Sequence, residues 1–190
     1  MDLQNSKKIL RTQMRAALQQ ISAETRAAAS ANARALLEQQ KLWKQAQSLL
    51  FFAPMPEELD IWPLAADALT AGKTVALPKF VAETNTYIAC QIHELAGSLK
   101  TGQFGISEPA DHCARFPIKR LDLILVPGLA FDLQGRRLGR GKGFYDQLLA
   151  VVRGPACGVA FDEQIVDRLP VGPQDVSVNC ILTPTRWIEL

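Results

Sequence analysis

The chain has 190 residues, of which 48% are hydrophobic and 21% charged, and 21 basic against 19 acidic side chains leave a net charge of +2. This composition is typical of one globular domain, here residues 1–190, and excludes intrinsic disorder, collagen-like repeats and disulfide-dense miniproteins. A charge so close to balance also excludes a protein that binds polyanions over its whole surface, so we expect no nucleic-acid partner.

The sequence also carries signals about location. The first 15 residues lack the apolar core of a signal peptide, and no apolar run approaches the roughly 18 residues that cross a membrane. Cys90, Cys113, Cys157 and Cys180 are far apart and form no CxxC pair, which is typical of small buried side chains in a reducing compartment. We therefore expect a cytoplasmic protein, a monomer, with no membrane partner.

Helices and short apolar strands alternate along the chain. Helices are predicted over 3–20, from an N-cap at Ser22 to about Gln39, over 61–71 with Asp60 as a possible N-cap and Gly72 as the stop, and over 144–152. Strands are predicted over 48–53, 73–77 ending at Pro78, 86–92, 121–126, 156–161 and 176–182. The pattern predicts an α/β fold: a three-layer, Rossmann-like open sheet, mainly parallel, with helices on both faces. Ligands of such folds bind at the carboxyl ends of strands.

The densest functional signal is the segment 127–146, which follows the strongest predicted strand. Its glycines at 139, 141 and 143 alternate with Arg140 and Lys142 just before a predicted helix. Glycines let backbone N–H groups approach an anion closely, and the cations add positive potential, so the segment predicts a phosphate-binding loop. The spacing is neither that of a Walker A loop nor GxGxxG. The alternative is a flexible surface turn with solvated cations.

Weaker signals lie on either side of this segment. Lys7, Arg11 and Arg15 share one helix face, which alone is typical of a solvated surface. The segment 52–60 leaves a strand with three carboxylates, which either bind a polar ligand or only cap the next helix. Phe104, beside a glycine, either stacks on a planar ring or anchors a loop.

Two further observations bear on the chemistry. Asp175 lies in a turn ahead of a strand, where an acid is typically a turn former. Neither of the two histidines, His93 and His112, lies in a motif, so the sequence supports neither a Ser-His-Asp triad nor a histidine metal site. We expect chemistry without a protein nucleophile.

Taken together, these segments resemble the 5-formyltetrahydrofolate cyclo-ligase family, also called 5,10-methenyltetrahydrofolate synthetase. Residues 127–146 match its PGLxFD…GxRLGRGKG[YF]YD signature almost letter for letter. The resemblance extends from about residue 7 to 184, because the weaker elements follow in the family's order at 7–11, 58–60, 104–109, 160–164, 169–171 and Asp175.

The resemblance implies a ligase that uses ATP and Mg²⁺ to close 5-formyltetrahydrofolate to 5,10-methenyltetrahydrofolate, releasing ADP and phosphate. Its partners would be small molecules, ATP and a reduced folate. Arg140 and Lys142 would be catalytic, stabilising charge on the transferring phosphoryl group. The implied ATP-binding residues are Lys7, Arg11, Arg137, Leu138, Gly139, Arg140, Gly141, Lys142, Gly143, Phe144 and Tyr145. The implied folate-binding residues are Ala53, Glu58 and Phe104, and the implied Mg²⁺ ligands are Asp146 and Asp175.

Two positions depart from the family pattern. Phe104 stands where the family often has Trp, and Asn179 stands where an acid is usual, which leaves a role beside the metal at 179 open. Two alternatives to the ligase also stay open. One is a non-catalytic folate or nucleotide sensor of the same fold. The other is a sugar-phosphate isomerase, which would need a carboxylate or histidine base at a strand end and no ATP.

Overall fold

The computed structural model describes residues 2–102 and 105–190. Its strands are β1 Ser48–Leu50, β2 Thr74–Val81, β3 Thr86–Ile92, β4 Leu99–Thr101, β5 Ser107–Pro109, β6 Arg115–Phe116, β7 Leu123–Pro127, β8 Ala130–Asp132, β9 Arg137–Leu138, β10 Ala156–Val159, β11 Ile165–Val166, β12 Cys180–Leu182 and β13 Trp187–Glu189. Its α-helices are α1 Leu3–Gln19, α2 Ala23–Gln39, α3 Lys41–Gln45, α4 Trp62–Thr70, α5 Leu95–Ser98 and α6 Phe144–Leu149.

The main sheet has eight strands in the order β13-β12-β10-β7-β1-β2-β3-β6. The five central strands, from β12 to β2, are parallel, whereas β13 at one edge and β3 and β6 at the other are antiparallel. Two smaller sheets, β11-β8-β9 and β4-β5, accompany it. The parallel strands follow the order 2-1-3-4-5 in the chain, which places the topological switch point between β1 and β7.

Both faces of the main sheet are covered. Side chains of α1, α2 and α4 pack with Leu49 and Leu123 on one face. The other face packs Leu50 and Ile124 against α6 and against Phe131 of β8. Consecutive strand residues point to opposite faces, so the run at 123–126, buried throughout, fills both cores. The expected α/β fold is therefore confirmed, with antiparallel strands added at the edges.

The helix predictions are close to the structure. The first two helices and the strand over 86–92 lie where the sequence places them, and the Ser22 hydroxyl accepts a hydrogen bond from the Thr25 N–H (3.1 Å), as an N-cap should. Gly72, with φ +74°, ends α4 as expected. The N-cap position of α4 is Ile61 instead of Asp60, although the Asp60 carboxylate accepts a hydrogen bond from the Trp62 N–H (2.9 Å).

Several predicted boundaries are wrong for identifiable reasons. The second strand continues through Pro78 to Val81, because β1 pairs with β2 only as far as Ala76 and the missing N–H of Pro78 costs no ladder bond on that side. The helix predicted over 144–152 ends at Leu149, and the chain then turns into Gly154 and Pro155, which do not continue a helix. The predicted strands over 48–53, 121–126, 156–161 and 176–182 are shorter or shifted, being β1, β7, β10 and β12.

No helix within 2–102 and 105–190 is long and apolar enough to cross a membrane.

The amino ends of β1 and β7 are held by one carboxylate, and this contact generates a stability prediction. Asp122 Oδ2 accepts hydrogen bonds from the N–H groups of Gln47 (2.9 Å) and Ser48 (2.8 Å) and from the Ser48 hydroxyl (2.9 Å). Burial would raise the pKa of Asp122, but these bonds outweigh it and lower the pKa. The carboxylate therefore stabilises the fold above its unfolded pKa, and this contribution is lost as pH falls through the lower folded value.

Asp122→Ala is accordingly expected to lower the free energy of unfolding by about 1–2 kcal/mol at neutral pH, since the site is largely exposed and screened. Urea denaturation measures the loss, and Asp167→Ala, at another exposed aspartate, is the control. The difference between wild type and Asp122→Ala should shrink at pH values below the ordinary carboxyl range. A loss that stays constant with pH would contradict the role of the ionised carboxylate.

Candidate active site at the carboxyl ends of β1 and β7

A cleft of about 590 Å³ opens at the carboxyl ends of the parallel strands. Its volume lies within the range of small-molecule sites. All thirteen residues that the family resemblance assigns to ATP or metal binding line it: Lys7, Arg11, Arg137, Leu138, Gly139, Arg140, Gly141, Lys142, Gly143, Phe144, Tyr145, Asp146 and Asp175. They come from the first turns of α1, from the segment after β8 and from the loop before β12, so the fold gathers groups that lie far apart in the chain.

The glycine-rich loop owes its path to positive φ angles. Gly141 has φ +105° and Gly143 has φ +69°, which L side chains rarely adopt. Gly143 is the N-cap of α6 and turns the chain into that helix. The Gly139 carbonyl accepts a hydrogen bond from Arg11 Nε (2.9 Å), which ties the loop to α1. A Cβ at Gly139 would lie 2.7 Å from Arg137 Nη1, so only glycine fits there without a shift of that side chain.

A buried aspartate fixes the hairpin that carries the loop. Asp132 Oδ1 accepts hydrogen bonds from the N–H groups of Gln134 (3.0 Å) and Arg136 (3.1 Å), and Oδ2 accepts one from Leu169 (2.9 Å). Gly135, with φ +75°, completes the turn that the sequence predicts. The aspartate of the PGLxFD element, Asp132, therefore has a structural role: it fixes the turn that leads into the glycine-rich loop.

Two ion pairs lie among the residues that line the cleft. Lys7, which is largely buried, contacts the Asp175 carboxylate, and that carboxylate also accepts a hydrogen bond from the Gly172 N–H (2.6 Å). Burial would raise the pKa of Asp175, but Lys7 and the backbone bond lower it below the usual range. Arg137 Nη2 lies 2.8 Å from Asp146 Oδ1, and its guanidinium lies over the Tyr145 ring. Lys7 and Arg137 are thus held in place by the two candidate metal ligands.

Arg140 links the glycine-rich loop to the segment that follows β1. Its Nη2 lies 2.8 Å from Glu58 Oε1 and its Nη1 lies 3.0 Å from Glu57 Oε1. Burial raises the pKa of Glu58, and the charge of Arg140 opposes that rise. Burial also tends to lower the pKa of Arg140, but the two carboxylates outweigh it and raise the pKa, so the guanidinium stays charged. The pair therefore stands at the switch point between β1 and β7.

A second, smaller pocket of about 110 Å³ adjoins the cleft. Its lining includes Ala53 and Glu58, as the sequence predicts for a folate site, together with the phenol ring of Tyr145. Burial raises the pKa of Tyr145, so its phenol stays neutral. Phe104, the third expected folate-binding residue, lies outside the described residues. Arg140 lines both pockets and forms part of their common boundary.

The structure also brings in residues that the sequence did not single out. Met55, Tyr87 and Ile106 line both pockets, and Gln4 and Gln174 line the cleft. Tyr87 packs edge-on against Phe144 with ring centroids 5.0 Å apart. In the sequence Tyr87 is an ordinary strand residue, so no local signal marks it. By contrast Arg15, which shares the predicted basic face of α1, is exposed and does not line the cleft.

The fit of a divalent cation depends on Asp146 and Asp175. The two are brought together because Asp146 Oδ1 also lies 3.5 Å from the N–H of Val176, the residue after Asp175. Carboxylate oxygens beside a phosphate site are the donors that Mg²⁺ prefers, and Mg²⁺ typically uses only one or two of them. The described residues contain no group of three or more His, Cys, Asp or Glu side chains that could hold a metal alone. The donor set therefore fits a cation that shares its coordination with phosphate oxygens.

With the geometry established, the chain can be compared with known proteins. The model of the 5-formyltetrahydrofolate cyclo-ligase family matches residues 3–184. The chain belongs to this family. The mouse 5-formyltetrahydrofolate cyclo-ligase is 30% identical over 195 residues, covering 94% of this chain and 93% of the relative. The Escherichia coli (strain K12) protein of the same name is 32% identical over 148 residues, covering 76% and 81%.

A solved structure agrees with these relatives. The NMR structure of Aquifex aeolicus 5,10-methenyltetrahydrofolate synthetase matches with a TM-score of 0.88 at 34% sequence identity, covering 97% of this chain and 92% of that one. The predicted family, the fold and the enzyme class, a ligase, are thereby confirmed. The roles of individual residues stay predictions.

The open question at position 179 has a structural answer. Asn179 Oδ1 accepts a hydrogen bond from the Ala156 N–H (2.8 Å), at the amino end of β10, whereas the cleft lies at the carboxyl ends of the strands. The residue lines neither pocket. An aspartate would accept the same hydrogen bond, so the acid usual in the family and the Asn of this chain both suit a structural role away from the metal.

Asn179→Asp is therefore expected to leave the Mg²⁺ dependence of turnover unchanged, with the free energy of unfolding within about 0.5 kcal/mol of wild type. Titrating Mg²⁺ at fixed ATP compares the two proteins, and Asp175→Asn, at the candidate ligand, is the positive control. A shifted midpoint for Asn179→Asp alone would contradict the structural role.

Proposed function

We propose that this chain catalyses the ATP-dependent closure of 5-formyltetrahydrofolate to 5,10-methenyltetrahydrofolate, with release of ADP and phosphate. The observation that carries the proposal is Arg140, which forms part of the boundary between a glycine-rich cleft suited to phosphates and a pocket that ends on a buried carboxylate. A reaction that transfers a phosphoryl group onto the other substrate needs one cation at such a boundary.

In the proposed reaction the formyl oxygen attacks the γ-phosphate of ATP and ADP leaves. N10 of the folate then attacks the activated formyl carbon, the C–O bond to phosphate breaks as the ring closes, and the proton of N10 leaves with the phosphate. The protein positions the substrates and stabilises the charge that develops, because no covalent intermediate with a side chain is required. Arg140 and Lys142, on the loop facing the cleft, are the residues to which we assign that charge stabilisation.

The nucleotide phosphates would be held by the loop and by α1. Lys7 and Arg11 face the cleft from the first turns of that helix, and the backbone of the segment 137–145 faces them. At Gly143 the space where a side chain would begin is open, and at Gly141 the guanidinium carbon of Arg11 lies 3.5 Å from that position, so the loop presents its backbone together with the Arg11 cation. Arg137 is almost wholly buried against Asp146. We therefore assign it the role of positioning that carboxylate and the loop, with at most a minor contact with the phosphates.

The pterin end of the folate would enter the smaller pocket, which at about 110 Å³ is too small for the whole molecule. Glu58 at its end offers carboxylate oxygens to pterin N–H donors, and Ala53 and Tyr145 provide apolar surface beside it. Phe104 is proposed to stack on the folate, as the resemblance implies. Asp146 and Asp175 would hold Mg²⁺, which would neutralise charge on the ATP phosphates when bound.

The remaining properties are also proposals: one domain over residues 1–190, a monomer, and a cytoplasmic location. The family supports ATP and a reduced folate as the small-molecule partners. Against the isomerase alternative, no histidine lines either pocket within the described residues, and the buried carboxylate at the strand end, Glu58, is engaged by Arg140.

The proposal is tested by mixing the protein with 5-formyltetrahydrofolate and Mg-ATP and measuring the methenyl product and phosphate together. One phosphate per product is expected. Arg140→Ala and Lys142→Ala should each lower turnover at saturating ATP by about 10²–10³. Lys142 is exposed, so its replacement should change the melting temperature little. Arg140→Ala also removes the charged partner of the buried Glu58 carboxylate and should lower the melting temperature, so its turnover is measured at a temperature at which the variant is folded. Binding of both ligands without any product would favour the non-catalytic sensor.

A separate prediction concerns Asp146. Asp146→Asn should raise the Mg²⁺ concentration needed for half-maximal turnover, and excess metal should restore part of the activity, because Asn retains one oxygen donor but loses the charge. The competing role is purely structural, since an acid in the first turn of α6 and a partner for Arg137 also stabilises the fold. That role predicts a lower melting temperature and an unchanged Mg²⁺ midpoint.

A further inference from the structure

Arg140 is restrained by two carboxylates, of which only Glu58 has a proposed ligand. Glu57 Oε1 lies 3.0 Å from Nη1 and Glu58 Oε1 lies 2.8 Å from Nη2, so the two nitrogens of the guanidinium fork are engaged by different acids. Glu58 is the more buried of the two, with 9% of its side chain exposed against 29% for Glu57. The three side chains together carry one net negative charge.

Each oxygen of the buried Glu58 carboxylate already accepts one hydrogen bond in this arrangement. Oε1 accepts from Arg140, and Oε2 accepts from the Met55 N–H at 2.9 Å. A ligand in the smaller pocket that presents N–H donors to Glu58 must therefore share or replace the bond to Arg140. Because Arg140 also lines the cleft, a change at Glu58 alters the charge available to an anion there.

We propose that Glu57 is a positioning residue that restrains Arg140 whether or not the smaller pocket is occupied: with that pocket empty, Glu57 and Glu58 together hold the guanidinium away from phosphate, and a ligand on Glu58 leaves only Glu57 to compete. This inference rests on the proposed function, since it assumes that a nucleotide phosphate binds in the cleft and a folate in the smaller pocket.

The coupling follows from competition for one cation. A phosphate oxygen gains Arg140 only by displacing a carboxylate, and displacing two carboxylates costs more than displacing one. Folate binding should therefore tighten nucleotide binding, and by thermodynamic linkage the nucleotide should tighten folate binding by the same factor. Glu57 is partly exposed, so its share of the restraint is modest, on the order of a two- to five-fold change in affinity.

The test measures binding of a non-hydrolysable ATP analogue with Mg²⁺ by calorimetry, with and without 5-formyltetrahydrofolate. Glu57→Gln keeps the shape and removes the charge, so it should bind the analogue about two- to five-fold more tightly than wild type when folate is absent. The same factor should appear with folate present, because Glu57 then still competes for Arg140, so the tightening by folate itself should change little. Glu57→Asp, which keeps the charge, should restore most of the wild-type affinity, and Glu24→Gln, at an exposed acid of α2 that lines neither pocket, controls for the change in net charge.

A double-mutant cycle separates restraint of Arg140 from simple repulsion between Glu57 and phosphate. If Glu57 acts through Arg140, Glu57→Gln should have no effect on analogue affinity in the Arg140→Ala background. An equal effect in both backgrounds, or none in either, would overturn the inference. The proposed function stands or falls separately, because formation of the methenyl product by the wild type with Mg-ATP does not depend on the coupling.

Discussion

The ion pair between Arg140 and Glu58 joins the two loops that leave the sheet on either side of its switch point, and the site depends on that junction. The chain passes from β1 to β2 by way of α4 on one face and from β7 to β10 by way of α6 on the other, so a crevice opens between the two carboxyl ends. A charged pair at 2.8 Å spans this crevice, and its Arg140 lines both the cleft and the smaller pocket. Removal of Arg140 would leave the buried Glu58 carboxylate without a charged partner, whereas removal of Glu58 would leave Arg140 paired with Glu57 alone.

The other wall of the cleft is α1, whose position is fixed by polar contacts over long sequence separations. Lys7 reaches Asp175 and Arg11 reaches the Gly139 carbonyl, while Met14 and Leu18, further along the helix, pack into the core. The helix therefore has one end in the hydrophobic core and the other at the ligand site. The basic side chains of α1 have a binding role only together with the segments they contact. Those segments are distant in the chain, so the basic face alone is typical of a solvated surface.

Sequence reasoning found the elements that have local causes and missed those set by neighbours. The Ser22 cap and the stop at Gly72 depend on nearby residues, and both were predicted. The continuation of β2 through Pro78 depends on where β1 ends, which no local pattern encodes. In the site, the glycine-rich loop could be predicted from the sequence because its glycines and basic residues are neighbours in the chain. Arg140 and Glu57, by contrast, are 83 positions apart in the chain (140 minus 57). Only the strand order brings them together.

The acids and cations of the cleft are matched in a way that bears on ligand selection. Lys7, Arg137 and Arg140 each contact a carboxylate in the described structure, so an incoming polyanion exchanges partners instead of meeting bare positive charge. Displacing a cation from a half-buried carboxylate is unfavourable unless the carboxylate gains a new partner. In the proposed complex a divalent cation serves Asp146 and Asp175, and folate N–H donors serve Glu58. A polyanion that arrives without these companions finds no such compensation, so this charge pattern favours the complete set of substrates over phosphate alone.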